Sequence, residues 1–209
     1  MKKIICLLLI LAMIFSMAAC GKGSDENTLS PSATMDAFLQ ALKAQDFEAA
    51  QQYYEGELTD LSSVAEDLGA TPDTELSNYL IKKMLDFDYT IDNEQVDGKK
   101  ASVDVSFKTY DMSQVMQGIL SSLMSEALGL VSEGMSDEEI AAKVNELMLK
   151  KFKKSLKSAE KDHLMTITQP LVKKDGKWLV KSVEHSLDFT NAISGGLLEF
   201  LKSAGDILG

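Results

Sequence analysis

The chain opens on a continuous apolar run, Ile4 to Phe15, preceded by Lys2 and Lys3 and followed by the small residues Ser16, Ala18 and Ala19. That run is shorter than the roughly 20 residues a spanning helix needs, and its basic start and small-residue end predict a secretory signal over residues 1–19. Residues 21–29 (GKGSDENTL) show no apolar period and predict a flexible tether. Helical spacing begins after Ser30-Pro31, an N-cap followed by a proline at the first helical position. Met35, Phe38, Leu39 and Leu42 fall at i, i+3, i+4 and i+7, one face of an amphipathic helix. Asp46 is placed to cap a second short helix carrying Phe47, Ala50, Tyr53 and Tyr54. Residues 55–85 predict further helix, broken near Gly69-Ala70-Thr71-Pro72, with Leu76, Leu80, Ile81 and Met84 facing inward.

The period then changes from 3.6 to 2. Phe87, Tyr89 and Ile91 alternate with Asp88, Thr90 and Asp92, and Val103, Val105 and Phe107 alternate with Ser102, Asp104 and Ser106. Asp97-Gly98 between them predicts a tight hairpin turn. A second hairpin is predicted from Leu164–Lys173, a turn at Asp175-Gly176, and Trp178–Val183. Two hairpins favour an antiparallel sheet. Residues 111–160 lie between them and return to helical spacing, with Val115, Met116, Ile119, Leu120, Leu123, Met124, Ala127 and Leu128 on one helix. Ser136 and Glu139 have the spacing of a capping box that opens the next helix, which carries Ile140, Val144, Leu147, Met148 and Phe152. From Asp188 onward Ile193, Leu197, Leu201, Ala204 and Leu208 predict a last helix, kinked by Gly195-Gly196. The expected fold is therefore α+β. N-terminal helices pack on a four-stranded antiparallel sheet, with a helical-hairpin insert at 111–160 between strands two and three and a C-terminal helix, all in one domain over residues 30–209.

Charge narrows the function. The formal net charge is −11, and all 21 basic residues are Lys. A chain so acidic and without Arg is not expected to bind nucleic acid, whose recognition rests on phosphate neutralisation. Cys6 and Cys20 are the two cysteines. With Cys6 removed in the signal, no intramolecular disulfide is possible and the fold must stand on its core.

Two resemblances add to this. Met17-Ala18-Ala19-Cys20-Gly21 resembles the lipobox of bacterial lipoproteins, apart from Met17 where Leu is usual. That resemblance implies cleavage between Ala19 and Cys20, a diacylglyceryl group on the Cys20 thiol, and attachment to the outer face of the cell membrane. The stretch Met35–Ala50 (MDAFLQALKAQDFEAA), with Lys174-Asp175-Gly176-Lys177-Trp178, resembles lipoproteins that carry the cystatin-like cone of the nuclear-transport-factor family. It extends over residues 31–54, 86–110 and 162–187. It implies a shape and is nearly silent on activity, because such folds host many unrelated functions.

Enzymes on this cone place an acid, a Tyr or a His inside its cavity. The residues expected to line such a pocket are Phe87, Tyr89, Ile91, Val103, Val105 and Phe107, which bring one phenol and no carboxylate. An acid–base pair would need Tyr89 with His163 or His185, the two histidines of the chain. No catalytic motif or phosphate loop is present, and no cofactor or metal is expected. A soft copper site on Met112, Met116 and Met124 is the alternative to a plain core stripe. The segment 143–161 sets seven lysines, among them Lys150, Lys151, Lys153 and Lys154, against Glu146 and Glu160. With the Met-rich helix it is a possible surface for a protein partner or the anionic membrane, although packing on the cone with solvated lysines is the plainer reading. The leading expectation is a non-enzymatic lipoprotein that binds a small apolar ligand or a protein partner. An envelope enzyme using the Tyr/His pair, or a structural lipoprotein, is the alternative.

Overall fold

The computed structural model describes residues 29–58, 75–132, 134–181 and 187–208. The signal, the tether up to residue 28, Cys20, His185 and the break expected near Gly69–Pro72 lie outside the described residues. Helices α1 (Pro31–Lys43), α2 (Phe47–Gln51) and α3 (Glu75–Met84) precede the hairpin of β1 (Asp88–Asp97) and β2 (Lys100–Tyr110). Helices α4 (Met112–Ser132) and α5 (Asp137–Lys157) follow, then β3 (Lys161–Lys174), β4 (Lys177–Val180), α6 (Leu187–Ile193) and α7 (Leu197–Leu208). The sheet runs β1-β2-β3-β4, antiparallel throughout.

Local chemistry sets these boundaries. The Ser30 side chain accepts the Ala33 amide and Asp46 accepts that of Ala49, capping α1 and α2. Ser136 and Glu139 exchange both hydrogen bonds of a capping box. Both hairpins turn on glycine in left-handed backbone, Gly98 at φ 58° and Gly176 at φ 82°, and Asp175 joins the second at φ 48°. At one sheet edge β1 slips register between Asp92 and Gln95 and carries Asp88, Asp92, Glu94 and Asp97, which blunts it against pairing with another chain. At the other edge Val180 bonds to Tyr53 and Glu55, so the chain after α2 covers β4.

Two cores result. In the first, Met35, Phe38 and Leu39 of α1 and Phe189 and Ile193 of α6 pack on Phe87, Val103, Val105, Phe107 and Leu171 of the sheet side. Phe107 meets both Phe87 and Phe189 edge-on, with centroids 5.4 and 5.8 Å apart. In the second, Met112, Met116, Ile119 and Leu123 of α4 join Phe152 and Leu156 of α5, Leu80 and Met84 of α3, and Leu197 of α7. The insert therefore does not lie on the sheet. It builds its own core with the helices on either side of it in sequence.

The C-terminal segment breaks where a kink is expected. Gly195 and Gly196 sit at φ 60° and 78°, so α6 stops at Ile193 and α7 begins afresh at Leu197. The turn also ties down the start of α4, because the Gly195 carbonyl accepts the amides of Met112 and Ser113 at 3.0 and 3.3 Å.

Candidate functional site

The expected pocket face is full. Phe87, Val103, Val105 and Phe107 are at most 1% exposed, covered by α1 and α6, while Tyr89 and Ile91 are half-buried against the same cluster. Side chains from two distant helices occupy the space that an apolar ligand would take. The sheet face also gains a carboxylate that the strands alone do not supply. The Tyr89 hydroxyl donates to Asp36 Oδ1 of α1 at 2.7 Å. Burial and the Asp36 carboxylate both push the phenol well above its usual range. Tyr89 is thus fixed as a protonated donor. His163 sits opposite Thr109 on β3, whereas Tyr89 sits opposite Phe107 on β1, so β2 runs between them. Two strand spacings and a two-residue offset along β2 put their backbones about 12 Å apart.

Where the sheet meets the insert, a polar cluster gathers Lys83 of α3, Tyr110 of β2, Lys161 of β3 and Asp86 of the link between α3 and β1. Asp86 accepts from Tyr110 Oη at 3.0 Å and pairs with Lys161 at 2.7 Å and Lys83 at 3.6 Å. Burial alone raises the Asp86 carboxyl, but the hydrogen bonds from Lys161 and Tyr110 outweigh it and hold it below the usual value. For Lys83 and Lys161 burial lowers the ammonium, and their polar partners outweigh it and raise it. A depressed carboxyl stabilises the fold above its unfolded pKa and loses that contribution as pH falls through its folded pKa. Asp86→Asn is therefore expected to lower the melting temperature at neutral pH. The gap from wild type should begin to close as pH falls towards the unfolded carboxyl pKa of about 4 and vanish once pH passes below the depressed folded value. A gap that stays constant over that range, measured by thermal denaturation, would show that the Asp86 charge contributes nothing.

The insert carries the remaining candidates, and the structure divides them. Met112 and Met116 are 1% and 2% exposed and belong to the second core, so they present nothing to a partner. Met124 is 70% exposed, and Leu128, one turn on, is 72% exposed. The three methionines do not form one stripe, since eight residues at 3.6 per turn carry Met124 about 80° round the helix from Met116. No group of three or more His, Cys, Asp or Glu able to hold a metal occurs among the described residues.

The lysines also separate. Lys151 binds Glu126 of α4 at 2.5 Å and Ser122 Oγ at 2.7 Å, Lys153 pairs with Glu75 of α3, and Lys143 pairs with Glu146 at 2.9 Å. The hydrogen bond from Lys151 holds Glu126 below its usual range, against a smaller effect of burial. Lys150 and Lys154 stay exposed with no ion pair to a described residue. Between α4 and α5 on this side lies an open cavity of about 380 Å³, lined by Gly118, Ser122, Lys151, Lys154, Ser155 and Ser158 beside Ile119. The serines and Gly118 escape a search for periodic hydrophobicity or catalytic motifs. The visible signal for them is small polar residues recurring at i, i+4 on α4 and near the end of α5.

No family profile matches the chain, and no curated protein matches it. Among solved structures, it is similar to the crystal structure of YcdA, a candidate lipoprotein of Bacillus subtilis, with 14% sequence identity and a TM-score of 0.52. The match covers 78% of this chain and 55% of that one, so the likeness spans little more than half of the neighbour's length. It shows a shared fold.

Proposed function

We propose that this protein is a lipid-anchored lipoprotein of the cell envelope, held by a diacylglyceryl group on Cys20, that works as a non-enzymatic binding module for a protein partner. The lipobox-like Met17–Gly21 supports the anchor. The fold shared with a candidate lipoprotein, and a helix-on-sheet core in keeping with the cystatin-like cone, are consistent with it. No described helix is long and apolar enough to cross a membrane.

The observation that carries the binding role is the outer strip of α4. Met124 and Leu128 stand exposed one turn apart on a 21-residue helix whose single charged residue is Glu126. Leaving two such side chains in water forgoes about 1.5–3 kcal/mol each, which a partner's apolar surface restores. The half-buried Leu120 and Ala127 lie on the same flank of the helix beside them. On the sheet face α1 and α6 cover Phe87, Val103, Val105 and Phe107, and a cavity of about 320 Å³ at its rim, beside Met165, is lined otherwise by Asp188, Asn191, Leu198, Glu199 and Lys202.

A photo-crosslinking residue at position 124 is expected to join this chain to a second envelope protein in intact cells. Adding Leu128→Asp should abolish that adduct while changing stability by less than about 0.5 kcal/mol, as for an exposed site away from the core. An adduct only between copies of this chain, or none, overturns the reading.

A further inference from the structure

We propose that the seam between α4 and α5 is an anion site that takes a phosphodiester group, presented by a lipid headgroup or by a soluble glycerophosphodiester. This rests neither on the lipid anchor nor on the outer strip of α4. Ser122 lies on the other flank of that helix, about 160° from Met124 at 3.6 residues per turn.

Five of the seven residues that line the cavity carry donor groups. Lys151 and Lys154 supply ammonium groups, and Ser122, Ser155 and Ser158 supply hydroxyls, around a space of about 380 Å³. That volume falls at the small end of ligand clefts, about 300–1,000 Å³, and suits a headgroup better than a whole lipid. Gly118 keeps its mouth open, because a Cβ added there would meet nothing within 4 Å.

Charge selects the class of anion. The net formal charge of the whole chain is −11, yet α5 turns basic over its last turns. Glu75 and Glu126 claim Lys153 and Lys151, and Lys154 is left at the cavity without an ion-pair partner among the described residues. With Lys151 paired to Glu126, Lys154 is the cavity-lining cation whose single charge is left uncommitted among the described residues. A phosphodiester carries one negative charge, whereas inorganic phosphate or a phosphomonoester carries about 1.5 to 2 at neutral pH and is repelled more by the Glu126 carboxylate. One oxygen faces Lys154, and the Ser155 hydroxyl can donate to the other, since Ser122 and Ser158 already donate to Glu126 and to the Ser155 carbonyl.

The test uses the mature full-length protein in a non-ionic detergent, with amide shifts of Gly118, Ser122 and Ser155 read by nuclear magnetic resonance. The probes are glycerophosphoglycerol, dihexanoyl phosphatidylglycerol below its micelle concentration, and inorganic phosphate. Both diesters are expected to move these amides saturably, with inorganic phosphate about tenfold weaker. Equal affinity for the two diesters assigns recognition to the headgroup and points to a soluble ligand; tighter binding of the lipid points to the membrane. Lys154→Gln should weaken binding about tenfold. Gly118→Met should abolish it while holding or raising the melting temperature, because it fills the mouth and replaces a poor helix former. Absence of saturable shifts, inorganic phosphate binding as well as the diesters, or shifts untouched by Gly118→Met overturns the proposal.

Discussion

Gly195→Ala is expected to destabilise the protein by about 3–5 kcal/mol, combining backbone strain with a steric clash. The residue sits at φ 60°, and a Cβ built on it would lie 1.9 Å from the Tyr110 carbonyl oxygen. The Tyr110 carbonyl belongs to backbone at the end of β2, just past the register shift between Thr109 and Tyr110, so it cannot rotate away as a side chain would. Gly195 cannot retreat either, because its carbonyl holds the amides of Met112 and Ser113 at the start of α4. Relief of the clash therefore loosens the joint between sheet, insert and C-terminal helices. The neighbouring glycine is the control. Gly196 has φ 78°, but its added Cβ would meet nothing nearer than 3.5 Å, so Gly196→Ala should show only the left-handed backbone penalty of about 1–2 kcal/mol. Urea unfolding of both variants measures the difference. Equal losses would mean that the approach to Tyr110 does not constrain the fold.

That joint also marks how far the sequence could be read. Strands and helices announce themselves through period 2 and period 3.6, and the caps at Ser30, Asp46 and Ser136 fall where short polar side chains precede apolar runs. These are local signals, each settled within a few residues. Contacts between distant segments leave no such trace. Nothing near Tyr89 in sequence reveals that Asp36 bonds to it from 53 residues away. The alternating face Phe87–Phe107 reads as apolar and concave, but whether it is a pocket depends on Phe38 and Phe189, which lie on helices at the two ends of the domain. Adjacent glycines predict weakness in the last helix. That they open a left-handed turn follows only from where α4 must begin. The division among the methionines was within reach of arithmetic, since Met124 lies off the Met112/Met116 line, yet the burial that separates them comes from α3 and α7. Function was less legible than fold for the same reason. The serine-lined seam is assembled from α4 and α5 positions some 30 residues apart.

Cys20→Ser is expected to abolish lipid attachment and either release the protein from the membrane or leave it as precursor with residues 1–19 intact. The thiol is the acceptor of the diacylglyceryl group, in thioether linkage, that the lipobox resemblance implies, and a serine hydroxyl is a far weaker nucleophile than a thiolate. One acyl chain gives a membrane partition constant of only about 10⁴ M⁻¹, roughly 5–6 kcal/mol, so reversible binding is the most a single chain supplies. Two chains at one residue roughly double that free energy, which is why retention should depend so steeply on one atom. The described helices include none able to span a bilayer, so they supply no replacement for the lost anchor. Intact mass of the wild type should show residues 1–19 gone and a diacylglyceryl increment on Cys20, whereas the variant should show neither. Membrane fractionation separates the variant's two outcomes, because precursor stays with the membrane through its apolar run Ile4–Phe15 and released protein does not. A variant that is cleaved, unacylated and still membrane-bound would mean that another part of the chain, or the partner docked on α4, holds it there. The lipid on Cys20 would then not be what retains the protein.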